Sequence, residues 1–246
     1  MDPQITRVKY MSIRAKIKTK GGLTYRIARR IYYNLKNIRL PVPQIVCVMM
    51  WKSVNFLIKA YYWGKSVFLI TPLYRGLCFK VGQNFRAGTF VPYVEGVGKI
   101  YVGDNVRFDG RQNYFYASIR DEIPEIRIGD NTGFGHNVVF DIAGKLTIGN
   151  NCKIASGVLF VDCGGHSILP EKRATGESPE EKDVRDITIG NNVWIGIGAF
   201  IMPGAIIGDN CVIAPNTVVT QRIPPSSIVY TSQAKVVQIR NISKVI

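Results

Sequence analysis

The sequence has 246 residues, of which 46% are apolar, and its mean hydropathy is +0.06. A chain of this size and composition can bury a sizeable core, which excludes an intrinsically disordered protein. The formal net charge of +15 is concentrated at one end, because the first 80 residues carry 16 Lys/Arg and a single acid, Asp2. The remainder is neutral, so the charge predicts an anionic partner for the first third alone.

Residues 1–80 are predicted to form a basic, amphipathic helical segment. Residues 23–39 mix cations and aromatic side chains at helical spacing, and two prolines separate them from a strongly apolar run at 45–70. Lys52 and Lys59 interrupt that run and form a narrow polar stripe with Asn55. Charges in the middle of the segment argue against a helix that spans a membrane.

The basic segment has three possible interpretations, of which the first two remain open. Residues 1–70 could lie on an anionic inner-membrane surface, with the cations toward the headgroups. The same helices could cap the first coil of the domain that follows and shield its open edge. Nucleic-acid binding is not expected, because no recognition motif accompanies the charge.

The five cysteines are an odd number without CxxC spacing, so we predict reduced thiols and no disulfide framework. Only two histidines, His136 and His166, are present, and no metal site is expected. No apolar stretch follows the basic N-terminus at the distance of a signal peptide. These features predict a cytoplasmic protein, peripheral on the inner face of the cell membrane.

Residues 81–224 contain a six-residue repeat. Aliphatic or aromatic residues recur at every sixth position in three clear runs and two weaker ones: Ile189, Ile195, Ile201, Ile207, Ile213 and Val219; Ile128, Phe134 and Phe140; Ile148, Ile154 and Phe160; Val81, Ala87 and Tyr93; Val102 and Phe108. Small or β-branched residues stand four positions later, as at Val193 and Ala199. This pattern predicts a mainly β fold, a parallel β-helix with three rungs per coil, preceded by the α-helical segment.

The repeat is interrupted once by a polar stretch. Residues 167–186 have no aliphatic six-residue period, two prolines and many charges, which predicts a loop that leaves the β-helix. His166 stands at the start of this loop, and inserted loops often carry function. Residues 225–246 are predicted to be a C-terminal tail.

The repeat motifs resemble a known enzyme family. The stretches that carry the resemblance are Ile189-Gly-Asn-Asn-Val-Trp-Ile-Gly, Met202-Pro-Gly-Ala-Ile-Ile-Gly-Asp-Asn and Val218-Val-Thr-Gln-Arg-Ile-Pro-Pro. They are similar to the left-handed β-helix O-acetyltransferases that act on galactosides, maltose and cell-surface polysaccharides. The resemblance covers about residues 81–240 and implies a left-handed β-helix, a homotrimer, and acetyl-CoA as the acyl donor.

The resemblance also implies the site residues. Thr147-Ile-Gly leads to Gly165-His166, which matches the family's catalytic histidine, and an imidazole is a suitable base for a sugar hydroxyl. Polar groups implied for the acceptor are Asn137, Asp141 and Asp162. Residues implied for coenzyme A are Trp194, Gly196, Ala214, Thr220, Arg222, Lys235 and Arg240, of which the cations suit phosphates.

The function implied by the resemblance is acetyl transfer to a sugar hydroxyl of a cell-surface polysaccharide or a lipid-linked glycan precursor. Two alternatives stay open. The acceptor could be a small molecule such as serine or an antibiotic, or the chain could be a non-catalytic, membrane-associated trimeric scaffold.

Overall fold

The computed structural model describes residues 23–36 and 41–231. By their internal contacts the residues divide into two compact units, one ending at Phe56 and one beginning at Leu57. The first unit contains helix α1 (Leu23–Lys36) and the first part of helix α2 (Gln44–Lys65). The second unit contains the rest of α2 and the repeat region, so the compact unit begins well before the residue 80 boundary expected from the sequence.

Helix α2 is apolar and exposed along its whole length. None of its residues is buried, and its most exposed large side chains include Ile45, Trp51 and Phe56 at 70%, 69% and 71% exposure. Both α1 and α2 are α-helical, which confirms the predicted helical structure before the repeats. None of the helices within 23–36 and 41–231 has the length and apolarity needed to cross a bilayer.

Residues 66–77 cap the first coil of the repeat region. A π-helical turn, Ser66–Ile70, continues α2 into helix α3 (Thr71–Leu77). The hydroxyl of Ser66 donates to the Ala87 carbonyl, and the Ala87 N–H donates to Thr71 Oγ1 at 3.2 Å. The side chain of Tyr74 is fully buried, and its ring lies 5.9 Å from that of Phe85 and 5.3 Å from that of Phe108. This contact covers the apolar interior that the first coil would otherwise expose.

Truncation of this cap tests its contribution to stability. We expect Tyr74→Ala to lower the free energy of unfolding by about 3–5 kcal/mol, because it removes a buried aromatic ring and leaves a cavity. The matched variant Leu73→Ala changes a side chain that is 44% exposed and is expected to cost less than about 1 kcal/mol. Urea unfolding measures both, and equal losses would contradict the capping role.

The repeat region is a parallel β-helix with three sheets. Sheet A consists of β1 (Lys80–Val81), β4 (Lys99–Val102), β7 (Glu125–Ile128), β10 (Lys145–Ile148), β13 (Ile187–Ile189), β16 (Ile206–Ile207) and β19 (Arg222–Ile223). Sheet B consists of β2 (Arg86–Ala87), β5 (Arg107–Phe108), β8 (Gly133–Phe134), β11 (Lys153–Ile154), β14 (Trp194–Ile195), β17 (Val212–Ile213) and β20 (Ile228–Val229). Sheet C consists of β3 (Tyr93–Glu95), β6 (Gln112–Tyr116), β9 (Val138–Ile142), β12 (Leu159–Val161), β15 (Phe200–Ile201) and β18 (Val218–Val219).

The periodic residues of the three clear runs fill the interior, as predicted. The rings of Tyr114, Phe140 and Phe160 stack on successive strands of sheet C, with centroids 5.0 Å and 5.5 Å apart. Cys152 and Cys211 are fully buried at the predicted small positions. One weak position was wrong: Tyr93 is 50% exposed, because it lies in register with the outward-facing Asn113, whereas Val94, in register with the buried Tyr114, takes the inward position.

Asparagines form the corner between sheets A and B. Asn105, Asn131 and Asn192 adopt the left-handed conformation there, with φ of 56°, 57° and 55°, which asparagine tolerates better than most residues. Their neighbours form a ladder in which each side-chain oxygen accepts the backbone N–H of the previous coil. Examples are Asp130 N–H to Asn150 Oδ1 at 2.7 Å and Asn150 N–H to Asn191 Oδ1 at 2.8 Å. The ladder fixes the coil spacing on this side.

The corner between sheets C and A carries the insertions. The long one follows β12, ends at β13 and contains a helix, α4 (Pro170–Ala174), and a 3₁₀ turn, Glu181–Asp183. The insertion, residues 162–186, includes the excursion expected at 167–186. A second, shorter insertion, residues 117–124, leaves the same corner between β6 and β7. At the other end, β19 and β20 extend the β-helix to Val229, beyond the predicted limit at 224.

Candidate active site

His166 lies at the start of the long insertion, just after β12, and its side chain is exposed. The residues on either side are held firmly. Asp162 and Cys163 before it are buried, and so is Ser167 after it, at 0%, 5% and 6% exposure. The imidazole therefore projects into solvent from a short segment whose flanks are anchored.

Asp162 anchors this segment to the preceding coil. Its two carboxylate oxygens accept the backbone N–H groups of Ala143 and Gly144, each at 2.7 Å. Its backbone carbonyl accepts the N–H of Arg185, at 2.8 Å, and so ties the two ends of the insertion together. Because the carboxylate is fully buried and both oxygens are used, this geometry favours a positioning role over direct contact with an acceptor.

Two arginines hold the insertion in place. Arg120, from the short insertion, contacts Asp186 Oδ1 at 2.9 Å and donates to the Val184 carbonyl at 2.7 Å. Arg173 donates to the backbone carbonyl of Ser167 at 3.0 Å, directly beside His166. The sequence reasoning missed Arg120, although the unusually long gap between the aromatic residue Tyr114 and Ile128 signals the insertion that carries it.

Burial changes the acidity of the carboxyl groups near this corner. Burial, together with the nearby charges of Asp186 and Asp141, raises the pKa of Asp162 to about 6, against the opposing effect of the two backbone N–H bonds. Partial burial also raises the pKa of Asp141 above its ordinary value. The folded chain therefore holds a proton on Asp162 more tightly than the unfolded chain does.

This shift predicts how stability depends on pH. The pKa of Asp162 in the folded chain, about 6, lies above the value of about 3.9 in an unfolded chain. Its contribution is thus fully present below about pH 4 and is lost as the pH rises through about 6. Relative to Asp162→Asn, the wild type should lose about 2–3 kcal/mol of unfolding free energy between about pH 4 and pH 7. Urea unfolding of both proteins at several pH values tests this. A gain in the stability of the wild type relative to Asp162→Asn with rising pH would contradict it.

The predicted acceptor residues do not all lie together in one chain. Asp141 is half-buried on the outer face of sheet C, in register with Val161, close in sequence to the corner that carries His166. Asn137 is exposed at the corner between sheets B and C, where its φ of 54° makes it a turn residue. Within one chain, the structure therefore places Asp141, Asp162 and His166 at one corner and Asn137 at another.

The predicted coenzyme A residues spread over the last coils. Trp194 projects from sheet B between Lys153 and Val212, and its side chain is 57% exposed. Gly196 follows it and is buried under the next coil, where an added Cβ would lie 2.6 Å from the nitrogen of Pro215 and 2.8 Å from the carbonyl carbon of Ala214. Glycine at 196 thus permits the close approach of two coils.

Arg222 and Thr220 are exposed near the C-terminal end of the β-helix. Arg222 projects from sheet A in register with Ile206, and Thr220 precedes it at the corner between sheets C and A. Lys235 and Arg240 fall outside the described residues. Within 23–36 and 41–231, no group of three or more His, Cys, Asp or Glu side chains is arranged to hold a metal ion.

Comparison with known proteins gives the family. Residues 186–221 match the bacterial transferase hexapeptide family (six repeats), and residues 125–160 match the hexapeptide repeat of succinyl-transferase. A chloramphenicol acetyltransferase of Morganella morganii is 31% identical over 52% of this chain and 78% of its own length. Nodulation protein L of Rhizobium meliloti is 36% identical, over 58% of this chain and 70% of its own length.

The chain thus belongs to the hexapeptide-repeat transferase family, and its repeat region is a left-handed parallel β-helix. A structure of a variant of AntD, an N-acyltransferase from Bacillus cereus, shares the fold with a TM-score of 0.51 and 16% identity, over 71% of this chain and 91% of that one. The galactoside O-acetyltransferase of Escherichia coli is 35% identical over 52% of this chain. The chain spans little more than half of that relative's length, 57%.

Proposed function

We propose that this protein transfers an acetyl group from acetyl-CoA to a hydroxyl of a sugar, in a cell-surface polysaccharide or a lipid-linked glycan precursor. The observation that carries the proposal is the exposed imidazole of His166 at the mouth of the long insertion, with both flanks anchored. Family membership and a galactoside O-acetyltransferase among the relatives support the reaction and the class of acceptor.

His166 acts as the general base. A sugar hydroxyl is too weak an acid to attack a thioester without assistance, so a base must take its proton during the attack. The hydroxyl oxygen forms a bond to the acetyl carbonyl carbon while His166 accepts the proton. The carbon–sulfur bond then breaks, and the protonated imidazole returns the proton to the thiolate, which leaves an acetyl ester and free coenzyme A.

Asp162 and Arg173 position His166 in this scheme. The carboxylate of Asp162 fixes the backbone before the histidine, and the guanidinium of Arg173 fixes the carbonyl just after it. Such anchoring keeps the base within the short distance that proton transfer requires. Asp141 and Asn137 contact the acceptor, and Asp162 acts on it only through the position of His166.

The donor binds along the last coils. Trp194 offers an exposed aromatic surface to the pantetheine or adenine portion, and Gly196 and Ala214 lie beside it at the corner of the same coils. Thr220 and Arg222 lie further along the β-helix, where Arg222 supplies a cation for the phosphates. We assign the same role to Lys235 and Arg240.

The active protein is a homotrimer in this proposal. Trp194 projects from sheet B, Asn137 occupies the corner between sheets B and C, and His166 lies at the opposite corner. A single chain therefore does not bring these side chains to one place, whereas two neighbouring copies could supply them from facing surfaces. Exposed apolar side chains on the β-helix, such as Phe200 and Val218 at 41% and 55%, are suited to such contacts.

We place the protein on the inner face of the cell membrane, bound through residues 1–70. Helix α2 presents apolar side chains to solvent along its length, carries lysines and has no acidic residue. The surrounding excess of cations complements an anionic lipid surface. Cytoplasmic exposure fits the five free thiols.

Acceptor comparison tests the proposed reaction. The purified chain is incubated with acetyl-CoA and with oligosaccharides, chloramphenicol or serine, and the release of coenzyme A thiol is recorded for each. We expect acceptor-dependent release with the oligosaccharides and a product heavier by one acetyl group. Because several relatives are chloramphenicol acetyltransferases, the antibiotic is the second candidate acceptor, and turnover with it alone would overturn the sugar assignment.

A further inference from the structure

We infer that sheet B carries a binding site for a lipid phosphate, that is, an anionic phosphate headgroup attached to a hydrocarbon chain. The site consists of two adjoining cavities in the first four coils, away from His166. One cavity is cationic and the other is apolar, and both are lined by Arg86 and Arg107. The inference concerns binding and does not depend on acetyl transfer.

The cationic cavity has a volume of about 420 Å³. Arg86, Arg107, Gly133 and Lys153 occupy equivalent outward positions on four successive strands of sheet B. Because parallel strands lie about 4.8 Å apart, Arg107 and Lys153 flank the glycine at roughly 10 Å from each other. Two cations thus flank the gap at Gly133, and Arg86 adds a third on the strand beyond Arg107.

The glycine in this gap is not required by the fold. An added Cβ at Gly133 would meet only Lys153 Nζ, at 4.0 Å, and its φ does not lie in the left-handed region. Most glycines in the coils, such as Gly129 and Gly196, face backbone atoms of the next coil within 3 Å. The absence of a side chain at 133 therefore serves to open the cavity between two cations.

The charge in the cavity remains available to an anion. Arg107 pairs with Asp109 through its Nε at 2.8 Å, which leaves the terminal guanidinium nitrogens. Lys153 Nζ has only a backbone carbonyl, that of Asn131, at 3.4 Å. Within the part of the chain that the structure describes, neither Arg86 nor Lys153 forms an ion pair with a carboxylate. Phosphate oxygens would complement these donors.

The second cavity, about 490 Å³, gives the ligand its apolar part. Its apolar lining comes from Trp63, Val67, Phe85 and Phe108. Its hydroxyls, on Ser66 and Thr71, already bond to the backbone of Ala87, and its one carboxylate, on Asp109, pairs with Arg107. Trp63 and Val67 are 64% and 42% exposed on the same helical run whose apolar surface is proposed to meet the membrane. A hydrocarbon chain could therefore pass from the bilayer into this cavity with its phosphate held between the cations.

Calorimetric titration with a short-chain lipid tests the inference. The full chain is titrated with dihexanoyl phosphatidic acid below its critical micelle concentration, with dihexanoyl phosphatidylcholine, and with inorganic phosphate. We expect phosphatidic acid to bind at least tenfold more tightly than either of the others. Because no bilayer is present, this result is separable from membrane attachment and from acetyl transfer.

Two variants and their controls locate the site. Gly133→Leu fills the gap and Arg86→Glu/Lys153→Glu reverses its charge, and each should weaken phosphatidic acid binding at least tenfold. The controls are Asn113→Leu on sheet C and Lys80→Glu/Lys99→Glu on sheet A, which should change it less than twofold. Equal binding of inorganic phosphate, or equal losses in variants and controls, would overturn the inference.

Discussion

Replacement of His166 by Ala should lower kcat/KM for acetyl transfer by about 10²–10⁴-fold, the usual contribution of a positioned general base. The substitution removes an exposed side chain, so the fold should be unchanged and the melting temperature should stay within a few degrees of the wild-type value. Steady-state assays that follow coenzyme A release with an oligosaccharide acceptor measure the effect.

His136→Ala is the matched control for this prediction. His136 is the other histidine of the chain, is also exposed, and lies at the corner between sheets B and C with its ring 5.9 Å from that of Phe90. Its loss should change kcat/KM by less than about twofold. Added imidazole should restore part of the activity of His166→Ala, which a purely structural histidine would not permit. Activity retained by His166→Ala would rule out its role as the base.

The triple variant Ile45→Ser/Met49→Ser/Phe56→Ser should bind vesicles of anionic lipid at least 100-fold more weakly than the wild type. These three side chains are 70%, 64% and 71% exposed on helix α2. Each would contribute about 1.5–3 kcal/mol if it were buried in the bilayer interface, and each 1.4 kcal/mol corresponds to tenfold in binding. Co-sedimentation with vesicles at increasing protein concentration measures the change.

A second triple variant controls for the loss of exposed apolar surface. Val97→Ser/Ile197→Ser/Ile228→Ser changes side chains of the β-helix that are 71%, 55% and 70% exposed. It should bind vesicles as the wild type does, because these residues lie outside the segment proposed to meet the membrane. High salt should weaken wild-type binding only in part, since the apolar contribution is not screened. Unchanged binding of the first variant would contradict attachment through α2.

The sequence predicts the β-helix well because its repeat imposes one residue type at each repeated position. Ile189, Ile195 and Ile201 are buried on three different sheets, as a six-residue period requires for a triangular coil. The interruption before Ile187 likewise predicts the long insertion. Periodicity was wrong at Tyr93, because the chain from Ala87 to the next inward position, Val94, is one residue longer than the repeat.

The parts that the sequence did not predict depend on contacts between distant segments. Arg120 reaches Asp186 and Val184 across 66 and 64 residues, and no local pattern contains that pairing. The assignment of Asp162 to acceptor binding came from a resemblance, whereas its burial and its bonds to Ala143 and Gly144 depend on the coil before it. The sequence left open whether the basic segment caps the β-helix, and Tyr74 shows that residues 66–77 do so.

A crystal structure of the full chain with bound coenzyme A is the most direct test of the proposed active site. The proposal predicts that the sulfur lies within about 3–4 Å of the His166 imidazole, the separation that reacting groups require. It further predicts that the bound molecule extends past Trp194 of a neighbouring copy toward the last coils of that copy. Coenzyme A bound at another corner of the β-helix, with His166 facing only solvent, would contradict the proposed mechanism.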